Sequence, residues 1–178
     1  MLRGLFVMSA WFLCAGCASV APPPRWAEGG GGLGWVPSVW QRDDERIEIL
    51  PNGTVLRAGA VYLRLDPAGR VTDDEGEPVA LFFADGQVAG SDDMPLGRVG
   101  MNSAAPPDRV SAWVTVAPNG VVVWFSSDGD TRIDGAWRGC QGQAKRACTL
   151  VTHMVGLERY RRNPEPSLGV GVGIGVGY

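Results

Sequence analysis

In a sequence of 178 residues, His153 is the single histidine and so the one side chain that ordinarily titrates near neutrality. It falls within Cys148–Leu157, an apolar run that reads as a strand, with His153 on the face of Val151 and Val155. The carboxylates that could work with it are Asp128, Asp130 and Asp134, in the run Asp128-Gly129-Asp130-Thr131-Arg132-Ile133-Asp134-Gly135. A histidine base oriented by one of them would make a hydrolase. That run also sets oxygens at positions 1, 3 and 7 of a calcium loop, but Arg132 stands at position 5 and Gly139 at position 12. A solvated turn is the simpler reading. His153 has no cysteine or carboxylate at ligand spacing, so no metal is expected. There is no Gly-x-Ser-x-Gly elbow, phosphate loop or dinucleotide fingerprint. These spacings assemble no coherent active site, so the expectation is a non-catalytic protein without a cofactor.

The amino terminus carries the most specific signal. Arg3 precedes an uncharged apolar run, Leu5 to Ala15, of 11 residues, too short to span a bilayer and suited to a signal-peptide core. It ends Leu13-Cys14-Ala15-Gly16-Cys17-Ala18-Ser19. Ala15-Gly16-Cys17 resembles the lipobox of bacterial lipoproteins, although the usual leucine lies one place early and Cys14 holds its position. The resemblance covers residues 1–19. It implies cleavage after Gly16, lipidation of Cys17 and a protein held on the cell envelope by its lipid. Ala18 and Ser19 follow the cysteine with no aspartate, a pattern that in lipoproteins of the enterobacterial type implies the outer membrane.

In an exported chain, Cys140 and Cys148 are the cysteines left to pair besides Cys17, and eight positions suit a disulfide across a loop. The spacing is not the Cys-x-x-Cys of a redox pair. The bridge is expected to staple a hairpin between Ala136-Trp137-Arg138 and Thr149-Leu150-Val151.

The elements that must carry these residues are marked by a recurring turn. Pro51-Asn52-Gly53, Pro67-Ala68-Gly69, Ala84-Asp85-Gly86 and Pro118-Asn119-Gly120 each separate two apolar runs. Their glycines step by 16, 17 and 34, so a two-strand unit of 17 residues repeats, with Ser103 to Asp108 a decayed unit or longer loop. Alternation puts Ile47 and Ile49 on one face of a strand, followed by Val61, Leu63 and Leu65, then Val79, Leu81 and Phe83. Val110–Val116 and Val121–Phe125 form the strongest hairpin, with Trp113 and Trp124. No long helical pattern is present. The fold class is therefore all-β: an antiparallel meander of eight to ten strands in a small sandwich or partly closed barrel.

Four segments follow: signal peptide 1–16, a lipid-anchored Pro/Gly-rich linker 17–39, a β domain 40–162, and a Gly-Val tail 163–178. Pro22-Pro23-Pro24 is stiff, and Gly29 to Gly32 reads as a free joint that buries no core. The tail alternates glycine with Leu168, Val170, Val172, Ile174 and Val176 before Tyr178, a strand that needs a partner. It could join its own sheet, pair with copies of itself, or lie on lipid. The net charge of −3 offers no basic excess for nucleic acid. The leading expectation is an envelope lipoprotein that binds or scaffolds a partner; the others are the His153 hydrolase and an assembly protein pairing through its tail.

Overall fold

The structure, a computed structural model, describes residues 20–42 and 45–162. Cys17 and the Gly-Val tail from residue 163 lie outside them. The first six strands are β1 (Ser38–Gln41), β2 (Arg46–Ile49), β3 (Thr54–Arg57), β4 (Ala60–Leu65), β5 (Arg70–Thr72) and β6 (Pro78–Phe82). The next six are β7 (Gln87–Gly90), β8 (Pro95–Val99), β9 (Ser103–Ala105), β10 (Val114–Val116), β11 (Val121–Phe125) and β12 (Thr131–Arg138). All pair antiparallel with their sequence neighbours, and β1 closes on β12 through the register Trp40↔Trp137. The protein is all-β apart from one helix, and the closed barrel has twelve strands rather than eight to ten. Strands such as β9, reading Ser-Ala-Ala, are too short and too bland to show a period. Every described strand has two neighbours, so the described sheet has no free edge. No helix among the described residues is long and apolar enough to cross a membrane, and strands of three to eight residues are shorter than the ~9–11 that span one.

The repeat is a hydrogen-bonding rule. In the β10–β11 turn, Gly120 N–H donates to Ala117 O (2.8 Å), and Val121 N–H to Asn119 Oδ1 (3.2 Å). Gly120 sits at φ +86°, the left-handed bulge position that completes a three-residue hairpin loop. Its carbonyl then accepts Trp137 N–H of the next unit at 2.8 Å. The same link joins Gly53 O to Leu65 N, Gly69 O to Phe82 N and Gly86 O to Val99 N, at 2.7–2.9 Å. Asn102 takes the missing glycine's place, accepting from Val116 N at 2.8 Å. The double step of 34 therefore hides an intact unit whose turn is Gly100 to Asn102, with β9 inside the stretch read as decayed. All these turns lie at one end of the barrel, called here the glycine end.

The largest correction concerns Cys148–Leu157. It belongs to a helix, α1 (Ala144–Arg162), that enters at the glycine end and fills the barrel lumen. Ala147 to Leu157 are eleven consecutive buried residues, so no polar face marks the helix. A twelve-strand barrel is too wide for its own side chains to fill, and α1 supplies the missing core. Its polar groups are satisfied from within: Thr152 Oγ1 donates to Cys148 O (2.7 Å) and accepts Trp137 Nε1–H (2.9 Å). On a helix His153 no longer shares a face with Val151 and Val155. The strand predicted from Val110 also shrinks to β10, and Val110 is fully exposed. In β6 the inward residues are Ala80 and Phe82, one position off the predicted Val79, Leu81 and Phe83.

That slip is explained by the segment before β1. Gly30 N–H bonds Ala68 O and Gly31 N–H bonds Phe82 O, each at 2.7 Å, and a Cβ on Gly30 would meet Leu81 Cδ1 at 3.1 Å. The segment covers Leu81 on the barrel's outer face. Residues Gly29–Gly32, read as a free joint, therefore form a packed strap, because glycine lets one backbone lie directly on another. The strap begins at the opposite end, where Ala21 N–H bonds Asp92 Oδ1 (3.1 Å) and Asp92 N–H returns to Ala21 O (3.0 Å).

Cys140 and Cys148 form a disulfide, Cα–Cα 6.2 Å. It ties the loop after β12 to the second turn of α1, not to the second strand of a hairpin. For an eight-residue separation, chain entropy assigns the bridge about 2–3 kcal/mol. Reduction or a double Cys→Ser substitution should lower the melting temperature by roughly 4–12 °C, read by calorimetry. An unchanged melting temperature would show that the lumen alone fixes the start of α1.

Candidate functional site

The end where α1 leaves the barrel carries most of the charged and aromatic chemistry. His153 is not part of an open site there. Its side chain is fully buried, Nδ1 lies 3.0 Å from Trp113 Nε1 and Nε2 lies 2.7 Å from Leu96 O. An indole N–H can only donate, so Nδ1 accepts and the proton sits on Nε2, donating to Leu96 O. Burial pushes its pKa down to about 4. Neutral and doubly satisfied, this ring bonds none of Asp128, Asp130 or Asp134, and the predicted hydrolytic pairing is not formed.

The three aspartates separate instead. Asp128 and Asp130 sit on the exposed turn between β11 and β12, where the Ser126 hydroxyl holds the Asp128 carboxyl below the usual range. Asp134, on β12, is a hub. Its Oδ2 accepts Trp124 Nε1–H and Arg159 Nη1–H, both at 2.9 Å, and its Oδ1 accepts Arg42 Nε–H at 3.0 Å. Glu45 joins Arg42 to Arg57, and Arg57 reaches Glu158 of α1 at 2.6 Å. A bulge in β4 helps to complete the network. Val55 pairs with Leu63 and Leu56 with Val61, which leaves Tyr62 unopposed and aims its hydroxyl at Glu158 Oε2, 3.2 Å away. Burial pushes the Tyr62 phenol up. The ring of charges clamps the end of α1 to the loop after β1, to β3 and to β12, with Tyr62 of β4 hydrogen-bonded to it, and its half-buried pairs are screened less than surface ones.

Beside this clamp lies an open cleft of about 930 Å³ between the loop before β10, the β11–β12 turn and α1. Trp113, Trp124, Phe125 and Tyr160 form its aromatic wall, with Arg109, Arg132 and Arg159 among its charged groups. Trp113 meets Trp124 and Tyr160 edge to face, at centroid separations of 5.5 and 5.9 Å. Gly156 makes room: a Cβ there would stand 2.6 Å from Trp124 Cζ3 and 2.9 Å from Trp113 Cζ2. Ile133, 72% exposed, sits on the rim. Aromatic and arginine side chains around exposed apolar groups are the composition of binding hot spots.

Sequence reasoning missed this cleft, because its β10–β12 wall meets Tyr160 and Arg159 only once α1 is placed inside the barrel. Two signals were present, the lone Gly156 inside an apolar run and the cluster Arg159-Tyr160-Arg161-Arg162 just after it. A second, more apolar cleft of about 550 Å³ opens on the other side of α1, walled by β4, β6 and the β7–β8 turn. Comparison with family models, with curated proteins and with solved structures finds no match to this chain.

Proposed function

We propose that the protein is a non-catalytic lipoprotein of the bacterial cell envelope, tethered through Cys17, that binds a partner in the aromatic–arginine cleft beside the end of α1. The observation that carries the binding reading is that cleft: about 930 Å³, open, and lined by Trp124, Tyr160, Arg132 and the exposed Ile133. The lumen is taken by α1, so a ligand has to be met at the barrel's end rather than inside it. The enclosed, doubly bonded His153 argues for binding over hydrolysis. The lipobox-like Ala15-Gly16-Cys17 supports the anchor. The partner is a component of the envelope; nucleic acid is disfavoured by the charge, and no cofactor is required.

Two measurements test the two halves. Cys17→Ser should release the protein from the membrane fraction or leave an unprocessed precursor. A mature-length chain still on membranes would remove Cys17 as the anchor. For the cleft, a photo-crosslinking residue placed at Ile133 in intact cells should give a discrete adduct. The same residue at Asn52, exposed on the glycine end, should not. Equal yields at both positions would sink the cleft as the binding site.

A further inference from the structure

We propose that the second cleft binds a long-chain fatty acid, its acyl chain along the apolar floor and its carboxylate on Arg161. This site lies across α1 from the aromatic–arginine cleft and does not depend on the anchoring or partner-binding readings. Its volume of about 550 Å³ falls within the ~300–1,000 Å³ usual for small-molecule sites. One stripe of α1 forms the floor, with Met154, Leu157, Glu158 and Arg161 at the spacing of a single helix face. Leu63, Val79 and Leu96 wall it, and Met94, 52% exposed, leans over the mouth. Methionine's unbranched, polarisable chain adapts to an irregular apolar ligand. The polar end of the site is defined by Arg161, whose Nη2 donates to Met94 Sδ at 3.6 Å. A thioether is a weak acceptor, and no carboxylate bonds Arg161 among the described residues.

The acids nearby are committed elsewhere. Glu158 binds Arg57 and Arg162, Asp92 accepts Ala21 N–H, and Asp73 accepts Glu75 and Glu77 N–H. A guanidinium bonded only to sulfur at the mouth of an apolar groove matches a ligand with one carboxylate and a long hydrocarbon chain. The carboxylate would replace the sulfur and take the guanidinium through two parallel bonds.

The test uses the full mature chain carrying Cys17→Ser, so that no covalently attached acyl chain competes. Palmitate and hexadecanol, each below its aggregation threshold, are titrated against it by calorimetry. Palmitate should bind one to one in the micromolar range, and butyrate, which lacks the chain, should not bind measurably. Arg161→Gln should weaken palmitate by about tenfold or more while leaving hexadecanol unchanged. Val79→Asp, at the half-buried wall, should weaken both. Failure of palmitate to bind would overturn the proposal. So would equal affinity for Arg161→Gln and the parent, or a palmitate site that Val79→Asp leaves intact. Loss of palmitate and hexadecanol alike in Arg161→Gln would also count against it, because the carboxylate would then have no specific partner.

Discussion

Gly120→Ala is expected to lower the melting temperature by roughly 6–12 °C, equivalent to about 3 kcal/mol in a chain of this size. Two costs combine. At φ +86° an alanine carries about 1–2 kcal/mol of left-handed strain. Its Cβ would also be driven into the Trp137 carbonyl, on the strand whose N–H bonds Gly120 O at 2.8 Å. That contact is with backbone and cannot be relieved by turning a side chain, so the link between neighbouring units must open. Gly129→Ala is the control, because Gly129 also has positive φ, +94°, yet its Cβ would meet nothing within 4 Å. It should lose only the strain, roughly 2–8 °C and less than Gly120→Ala measured alongside it. Equal losses at the two positions would mean that the carbonyl link between units contributes nothing and the turns act locally.

The same link explains how far the sequence could be read. Asn-Gly and Asp-Gly turns announce themselves because a left-handed bulge residue is nearly always glycine, so the repeat and the antiparallel order were legible at Gly53, Gly69, Gly86 and Gly120. The unit at Asn102 was not, because Asn102 makes the carbonyl link without the positive φ that calls for a glycine, so no glycine marks the turn. The disulfide matched the pairing expected from the eight-residue spacing of Cys140 and Cys148, but its setting did not follow from the sequence. The run Cys148–Leu157 is enclosed on every side, which erases the 3.6-residue alternation that identifies a surface helix, and its Val and Thr residues favour a strand reading. The helix in turn decides the site. Once α1 is inside, His153 is withdrawn to the core, Asp134 turns to Arg42 and Arg159, and Trp113, Trp124 and Tyr160 gather over Gly156. The Trp113–Trp124 contact belongs to one hairpin, but the decisive encounters are distant in sequence: Arg42 and Asp134 are 92 positions apart, and Trp113 and His153 are 40 apart. Pattern reading fails there because the contacts exist only after closure.

Between pH 6.5 and 4 the protein should lose stability faster than a His153→Gln variant. Above pH 6.5 the imidazole is neutral in both the folded and the unfolded chain, and it adds no slope. As pH falls through the unfolded value of 6.5, the unfolded chain takes up a proton that the buried ring, with a pKa of about 4, refuses. Folding is then opposed by about 1.4 kcal/mol for each pH unit, summing to about 3 kcal/mol near pH 4. Below that the folded ring also charges. Nδ1–H would then face Trp113 Nε1–H, two donors 3.0 Å apart with no acceptor between them. Glutamine offers one donor and one acceptor, so it can keep both the Leu96 and the Trp113 bonds without a titrating group. Carboxylates titrate in the same window, which is why the readout is the difference between the two denaturation series rather than either curve alone. Identical slopes for the parent and His153→Gln would mean that His153 is protonated in the folded barrel. The neutral Nε2–H ring at the heart of the lumen would then be wrong.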